Sequence, residues 1–103
     1  MITHVVFFWA KEPLTETVPH ILAAAKKLSQ VPGVENFRFG TAVPSERAVV
    51  DGSYSVAISM DFSDQAVADA YQSHPIHTDF IENTVKPHVD RVLVYDFQAP
   101  EKS

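Results

Sequence analysis

Bulky apolar residues alternate with small or polar ones from Ser53 to Phe62. Tyr54, Val56, Ile58, Met60 and Phe62 interleave with Ser53, Ser55, Ala57, Ser59 and Asp61. A period of two predicts a strand with one bulky face and one small face, and the small face suits a helix packed closely on it. Ile2 to Ala10 differs. Its even set (Ile2, His4, Val6, Phe8, Ala10) and its odd set (Thr3, Val5, Phe7, Trp9) are both largely apolar. That predicts a strand covered on both faces, with His4 the polar exception on the even one. Val34 to Thr41, with Phe37 and Phe39 on one face, and Arg91 to Phe97 read as the remaining strands.

Between the strands the period lengthens. Val18, Ile21, Leu22, Ala25 and Leu28 recur at helical spacing. Thr15 is the expected N-cap, Pro19 lies near the first turn, and Pro32-Gly33 follows the end. Ser63-Asp64 predicts the start of a second helix with the stripe Ala66, Val67, Ala70 and Tyr71. His74-Pro75 interrupts it. Proline favours a first helical position, so His74 is expected to cap a further short helix that carries Ile76, Phe80, Ile81, Thr84 and Val85 and stops at Pro87. The order β-α-β-β-α-(α)-β is the ferredoxin-like α+β arrangement, an antiparallel sheet with helices on one face. Ile2, Val6, Phe8, Val56, Ile58, Met60, Val92 and Val94 are too apolar to face water. A second copy of the sheet is expected to cover them, giving a homodimeric α+β barrel. One domain, residues 1–98, precedes a tail at 99–103.

Composition narrows the function classes. The chain has 103 residues and no cysteine, which excludes disulfide scaffolds and thiolate metal sites. Its formal charge is −5, from 8 basic against 13 acidic residues, and the one basic doublet is Lys26-Lys27. No nucleic-acid partner is expected. The apolar run from Val5 to Ala10 is far short of a membrane span, and no basic region precedes it. No membrane partner is expected, and a cytoplasmic location is.

The chemistry concentrates between Tyr71 and His77. A tyrosine and two histidines, His74 and His77, flank Pro75. The phenol and one imidazole could meet over a pocket and share a proton. The two imidazoles could instead order a helix turn and an interface. A neutral imidazole with a pKa near ~6.5 can accept a proton at neutral pH, and a phenol can donate to a developing oxyanion. His4, on the even face, needs a partner, whether ligand, water or core group. His20 and His88 read as surface residues. No spacing supports a metal site, and no nucleophile signature is present. With 3 scattered glycines, no phosphate-cradling loop is expected.

Several motifs occur in order along the chain: His4-Val5-Val6, Val31-Pro32-Gly33-Val34, Phe62-Ser63, Ala70-Tyr71, His74-Pro75-Ile76-His77, Lys86-Pro87 and Val92-Leu93-Val94-Tyr95-Asp96-Phe97. Together they resemble the stress-responsive dimeric A/B barrel (Dabb) domains. The resemblance implies a ferredoxin-like protomer that pairs into a barrel. Within that family, the plant polyketide cyclases similar to olivetolic acid cyclase close a linear polyketide by an intramolecular aldol reaction without a cofactor. By that resemblance Tyr71 and His77 are the catalytic pair and His4 lines their pocket. Val6, Phe8, Ile21, Ala24, Ile58, Phe80, Val92 and Val94 are the expected substrate-binding wall. The cyclases carry an aromatic residue where Ala24 stands here, which implies a pocket of different shape.

Three functional readings follow. The first is a homodimer that binds a small apolar or aromatic molecule, with cofactor-independent acid–base chemistry of cyclase or isomerase type. The second is a non-catalytic stress or binding protein whose barrel is filled by Phe8, Phe37, Met60 and Tyr54. The third borrows from dimeric barrels that serve as cofactor-free oxygenases or haem proteins, with Trp9 as core or interface.

Overall fold

The computed structural model describes residues Met1 to Pro100, so Glu101–Ser103 of the expected tail lie outside the described residues. Strands β1 (Ile2–Ala10), β2 (Glu35–Thr41), β3 (Val56–Phe62) and β4 (Val89–Gln98) form one four-stranded sheet in the order β2-β3-β1-β4. β1 is antiparallel to both of its neighbours, and β2 is antiparallel to β3. β1 therefore runs parallel to β2, and β3 to β4. Helix α1 (Leu14–Ala25) with a 3-10 turn at Lys26–Gln30 makes the first crossover. Helices α2 (Gln65–Ser73) and α3 (Pro75–Phe80) make the second, followed by a π turn at Ile81–Val85 and a short helical turn at Lys86–His88. This is the ferredoxin-like fold.

Local chemistry sets these elements. Asp64 caps α2, its carboxylate accepting from the Val67 N–H at 3.0 Å. His74 caps α3, where its Nδ1 accepts from the Ile76 N–H at 3.1 Å, and Pro75 takes the first helical position. α1 starts at Leu14 with Pro13 before it, so Thr15 lies inside the helix. Thr17 instead ties the start down by donating to the Lys11 carbonyl at 2.7 Å. Gly33 sits at φ +90°, and a Cβ there would fall 2.3 Å from Val67 Cγ1. Only glycine lets the turn before β2 lie against α2.

The two sheet faces are the reverse of what the alternation predicts. The bulky face of β3 (Val56, Ile58, Met60, Phe62) and the even face of β1 are buried beneath the helices, against Ile21, Ala25, Leu28, Tyr71 and Phe80. The small face, with Ala57 and Ser59, is the open one, shared with Val5, Phe7, Trp9 and Leu93. Ile21, Leu28, Tyr71 and Phe80 from the helix side and the bulky residues of the sheet fill the layer together, with Ala25 the one small residue among them. β3 also starts at Val56 and not Ser53, because Tyr54 leaves the alternation and packs on Phe7 across the open face, rings 4.9 Å apart. The α2 stripe likewise runs through Val67, Ala68 and Tyr71, with Ala66 and Ala70 in solvent.

Phe8 and Met60 therefore fill the core between sheet and helices, Phe37 packs at its margin, and Tyr54 belongs to the other face. Val92 and Val94 share the helix side, but the helices do not reach far over β4 and both stay half exposed. Along the open face Tyr95 and Phe97 are 59% and 61% exposed. The Arg91 guanidinium covers the Trp9 ring at 4.3 Å.

Candidate functional site

The site lies between the sheet and its own helices, where β1, the end of α2, α3 and β4 meet. Tyr71 occupies the last turn of α2 and is 1% exposed. The His74 cap and Pro75 turn the chain so that α3 brings His77 back toward it. The two rings meet edge to face with centroids 4.7 Å apart. His4, from the middle of the buried face of β1, presents its ring 5.9 Å from Tyr71 at 66°. Phe62 packs on Tyr71 at 5.1 Å and on His4 at 6.0 Å, fixing both from behind.

These rings border a cavity of about 150 Å³ lined by His4, Val6, Phe8, Tyr71, Gln72, His77, Phe80, Ile81, Val92 and Val94. Ligand pockets typically hold ~300–1,000 Å³, so this one suits a single ring or a short chain. Eight residues singled out from sequence meet on it: Tyr71, His77, His4, Val6, Phe8, Phe80, Val92 and Val94. Three others do not. Ile21 and Ile58 are sealed in the core beneath the helices, and Ala24 lines a separate outer groove between α1 and α3. Each follows the helical or strand period but falls on a turn or strand away from the β4 edge, where the helix layer opens.

Burial shifts Tyr71 and His77 in opposite senses. The Tyr71 phenol is pushed well above its ordinary range by burial, so it stays protonated. The His77 imidazole is pushed below its ordinary value, first by burial. The Gln72 main chain opposes the shift and the nearby His4 adds to it. The tyrosine is thus a neutral donor and the histidine a neutral acceptor at pH 7.

Sequence reasoning missed Asp96 as a site residue. The register places it opposite His4 across β1 and β4. The His4 Nδ1 lies 2.5 Å from an Asp96 carboxylate oxygen. A carboxylate only accepts, so His4 Nδ1 carries a proton and donates it to Asp96. A signal was present: His4 and Asp96 are the polar exceptions on two otherwise apolar sets, Ile2/Val6/Phe8 and Val92/Val94. Two polar exceptions on one face predict a pair. Gln72 and Ile81 were missed as well, since neither stands out by residue type. His4, Gln72 and Asp96 also line a second, more polar cavity of about 180 Å³ that reaches Gln65 and Asp69.

No group of three or more potential metal-ligating side chains comes together among the described residues. His20 and His88, expected on the surface, pack with tilted rings, centroids 4.3 Å apart, between α1 and the turn before β4, His88 half-buried. No helix among the described residues is long and apolar enough to cross a membrane.

The stress responsive A/B barrel domain model matches residues 2–99. A Dabb family protein with a ferredoxin-like fold from Mesorhizobium loti is 31% identical, with a TM-score of 0.79 over 96% of each chain. A dimeric ferredoxin-like protein of unknown function from Thermobifida fusca is 25% identical, with a TM-score of 0.75 over 95% of this chain and 90% of that one. The hydroxynitrile lyase of Passiflora edulis has a TM-score of 0.79 at 21% identity, over 99% of this chain and 95% of that one. No curated protein matches the chain.

Proposed function

Starting from a chain that belongs to the stress responsive A/B barrel domain family, we propose that it binds a small, largely apolar or aromatic carbonyl compound and moves a proton on it without a cofactor. One observation carries the reading. Tyr71, His77 and His4 converge on a single cavity, with the phenol held protonated and the His77 imidazole held neutral. His77 takes a proton from carbon next to the carbonyl. The negative charge that develops on the carbonyl oxygen accepts a hydrogen bond from the Tyr71 O–H. The His77 proton then returns, either to carbon, as in an isomerisation, or to the alkoxide formed when the enolate closes on a second carbonyl, as in a cyclisation. Asp96 fixes the orientation of the His4 ring at the wall of the cavity. A positioned acid–base pair of this kind contributes ~10²–10⁴-fold. A hydroxynitrile lyase built on the same fold supports an enzymatic use of such a site.

The working unit is a homodimer joined through the open sheet face. That face carries Phe7, Trp9, Leu93, Tyr95 and Phe97, a contiguous apolar set of the kind that marks interfaces, and similar folds are described as dimeric.

The test of binding is an NMR titration with para-cresol, following the His77 ring protons. Saturable shifts at His77 and Tyr71 that vanish when Phe8→Trp fills the cavity are expected. Unmoved His77 and Tyr71 signals up to the solubility limit of the probe contradict the proposal.

A further inference from the structure

We infer that Phe80 is the partition that sets how long a ligand the site accepts; the inference rests on the small-molecule reading above. Two spaces flank α3. The inner cavity of about 150 Å³ lies toward β4. The outer groove, about 430 Å³, lies toward α1 and is lined by His20, Ala24, Lys27, Ile76, Asn83 and Thr84 among others. One residue borders both: Phe80. It sits at the end of α3, 5% exposed, its ring standing edge to face on Phe8 at 5.8 Å. It therefore lies under the helix, between helix and sheet, with one space on each side of it.

The backbone around it explains why both sides are open at this point. The π turn begins at Ile81, directly after Phe80. A π turn inserts an extra residue and widens the helix locally. Ile81 then faces the inner cavity, while Asn83 and Thr84 face the outer groove. On the α1 side Ala24 offers only a methyl to the outer groove, and Phe80 is the one residue whose side chain borders both spaces. The inner cavity alone takes one ring. Joined to the groove, it takes a ring with an extended alkyl chain whose far end reaches the polar rim at Lys27 and Asn83. Phe80 as it stands selects the short ligand.

The test uses para-alkylphenols from methyl to hexyl, with affinity read from the His77 ring shifts in the wild-type dimer, in Phe80→Ala and in Phe80→Leu. Burying each added methylene is worth roughly fourfold in affinity. In the wild type that gain is expected to stop within the first two or three carbons. In Phe80→Ala it continues along the series, so the longest phenol binds at least about tenfold tighter than to the wild type. Phe80→Leu falls between them and carries the test if the alanine variant does not fold. The same cut-off in a folded variant as in the wild type overturns the partition while leaving the cavity reading intact. Binding of no phenol by the wild type overturns both.

Discussion

Phe7 and Phe8 are neighbours on one strand, yet they serve opposite faces of the sheet. Phe8 is 2% exposed beneath the helices, in the layer that contains Tyr71, His77 and His4. Phe7 lies on the open face with Tyr54 and Tyr95. A step of one residue separates a position in the core of the protomer from one on the open face, where we propose that a second copy docks. Stability and chemistry should therefore respond to one face, and association to the other.

The largest effect is expected where that contrast is sharpest. Phe8→Ala should lower the stability of the protomer by about 3–5 kcal/mol in urea denaturation, because it removes a buried aromatic side chain from the core. Phe7→Ala should cost well under half of that at a protein concentration where both are monomeric. Equal losses would erase the distinction between the faces. Next in size is association. Phe7→Arg should halve the sedimenting mass at micromolar protein while the far-ultraviolet dichroism and the para-cresol shifts at His77 persist. An unchanged mass would mean that the open face does not join the copies.

Smaller effects are expected within the covered face. Asp96→Asn keeps the shape but replaces a charge-assisted partner of His4 by a neutral amide. Loss of such a bond is worth about 1.5 kcal/mol or more, so proton transfer by the site should slow roughly tenfold. Rescue by Asp96→Glu would support positioning, whereas no change in Asp96→Asn would remove His4 from the mechanism. The smallest effect is a pH dependence. His77 has a lower pKa folded than unfolded, so the unfolded chain binds the proton first on acidification. Its contribution is complete above about pH 6.5 and is lost as pH falls from there through the folded value. His77→Phe should flatten that part of the stability profile.

The strands, the His74 cap and the Asp64 cap were legible because each rests on local rules: period, capping chemistry and the placement of proline. The residues alone left the meeting of Tyr71 and His77 open, and only the family resemblance implied it. The identity of the covered face was not. β1 is apolar at both parities, and alternation says only that two faces differ. Which one the helices cover follows from the hand of the β1–α1–β2 and β3–α2–α3–β4 crossovers, a property of the chain path and not of residue spacing. The same gap explains the rest of the site. Ile21 and Ile58 follow the right period, yet lie away from the β4 edge where the helix layer leaves space. Asp96 emerged only when the register set it opposite His4.

The central claim is that His77 moves a proton on a carbonyl compound held against Tyr71. It is tested most directly by the exchange of the α-protons of phenylacetone in D2O, followed by proton NMR at pH 7. The wild-type protein should accelerate exchange over buffer, Tyr71→Phe should retain a reduced rate, and His77→Ala should return it to background while the protein stays folded. Exchange by His77→Ala at the wild-type rate, or a wild-type rate no faster than buffer, would contradict the account.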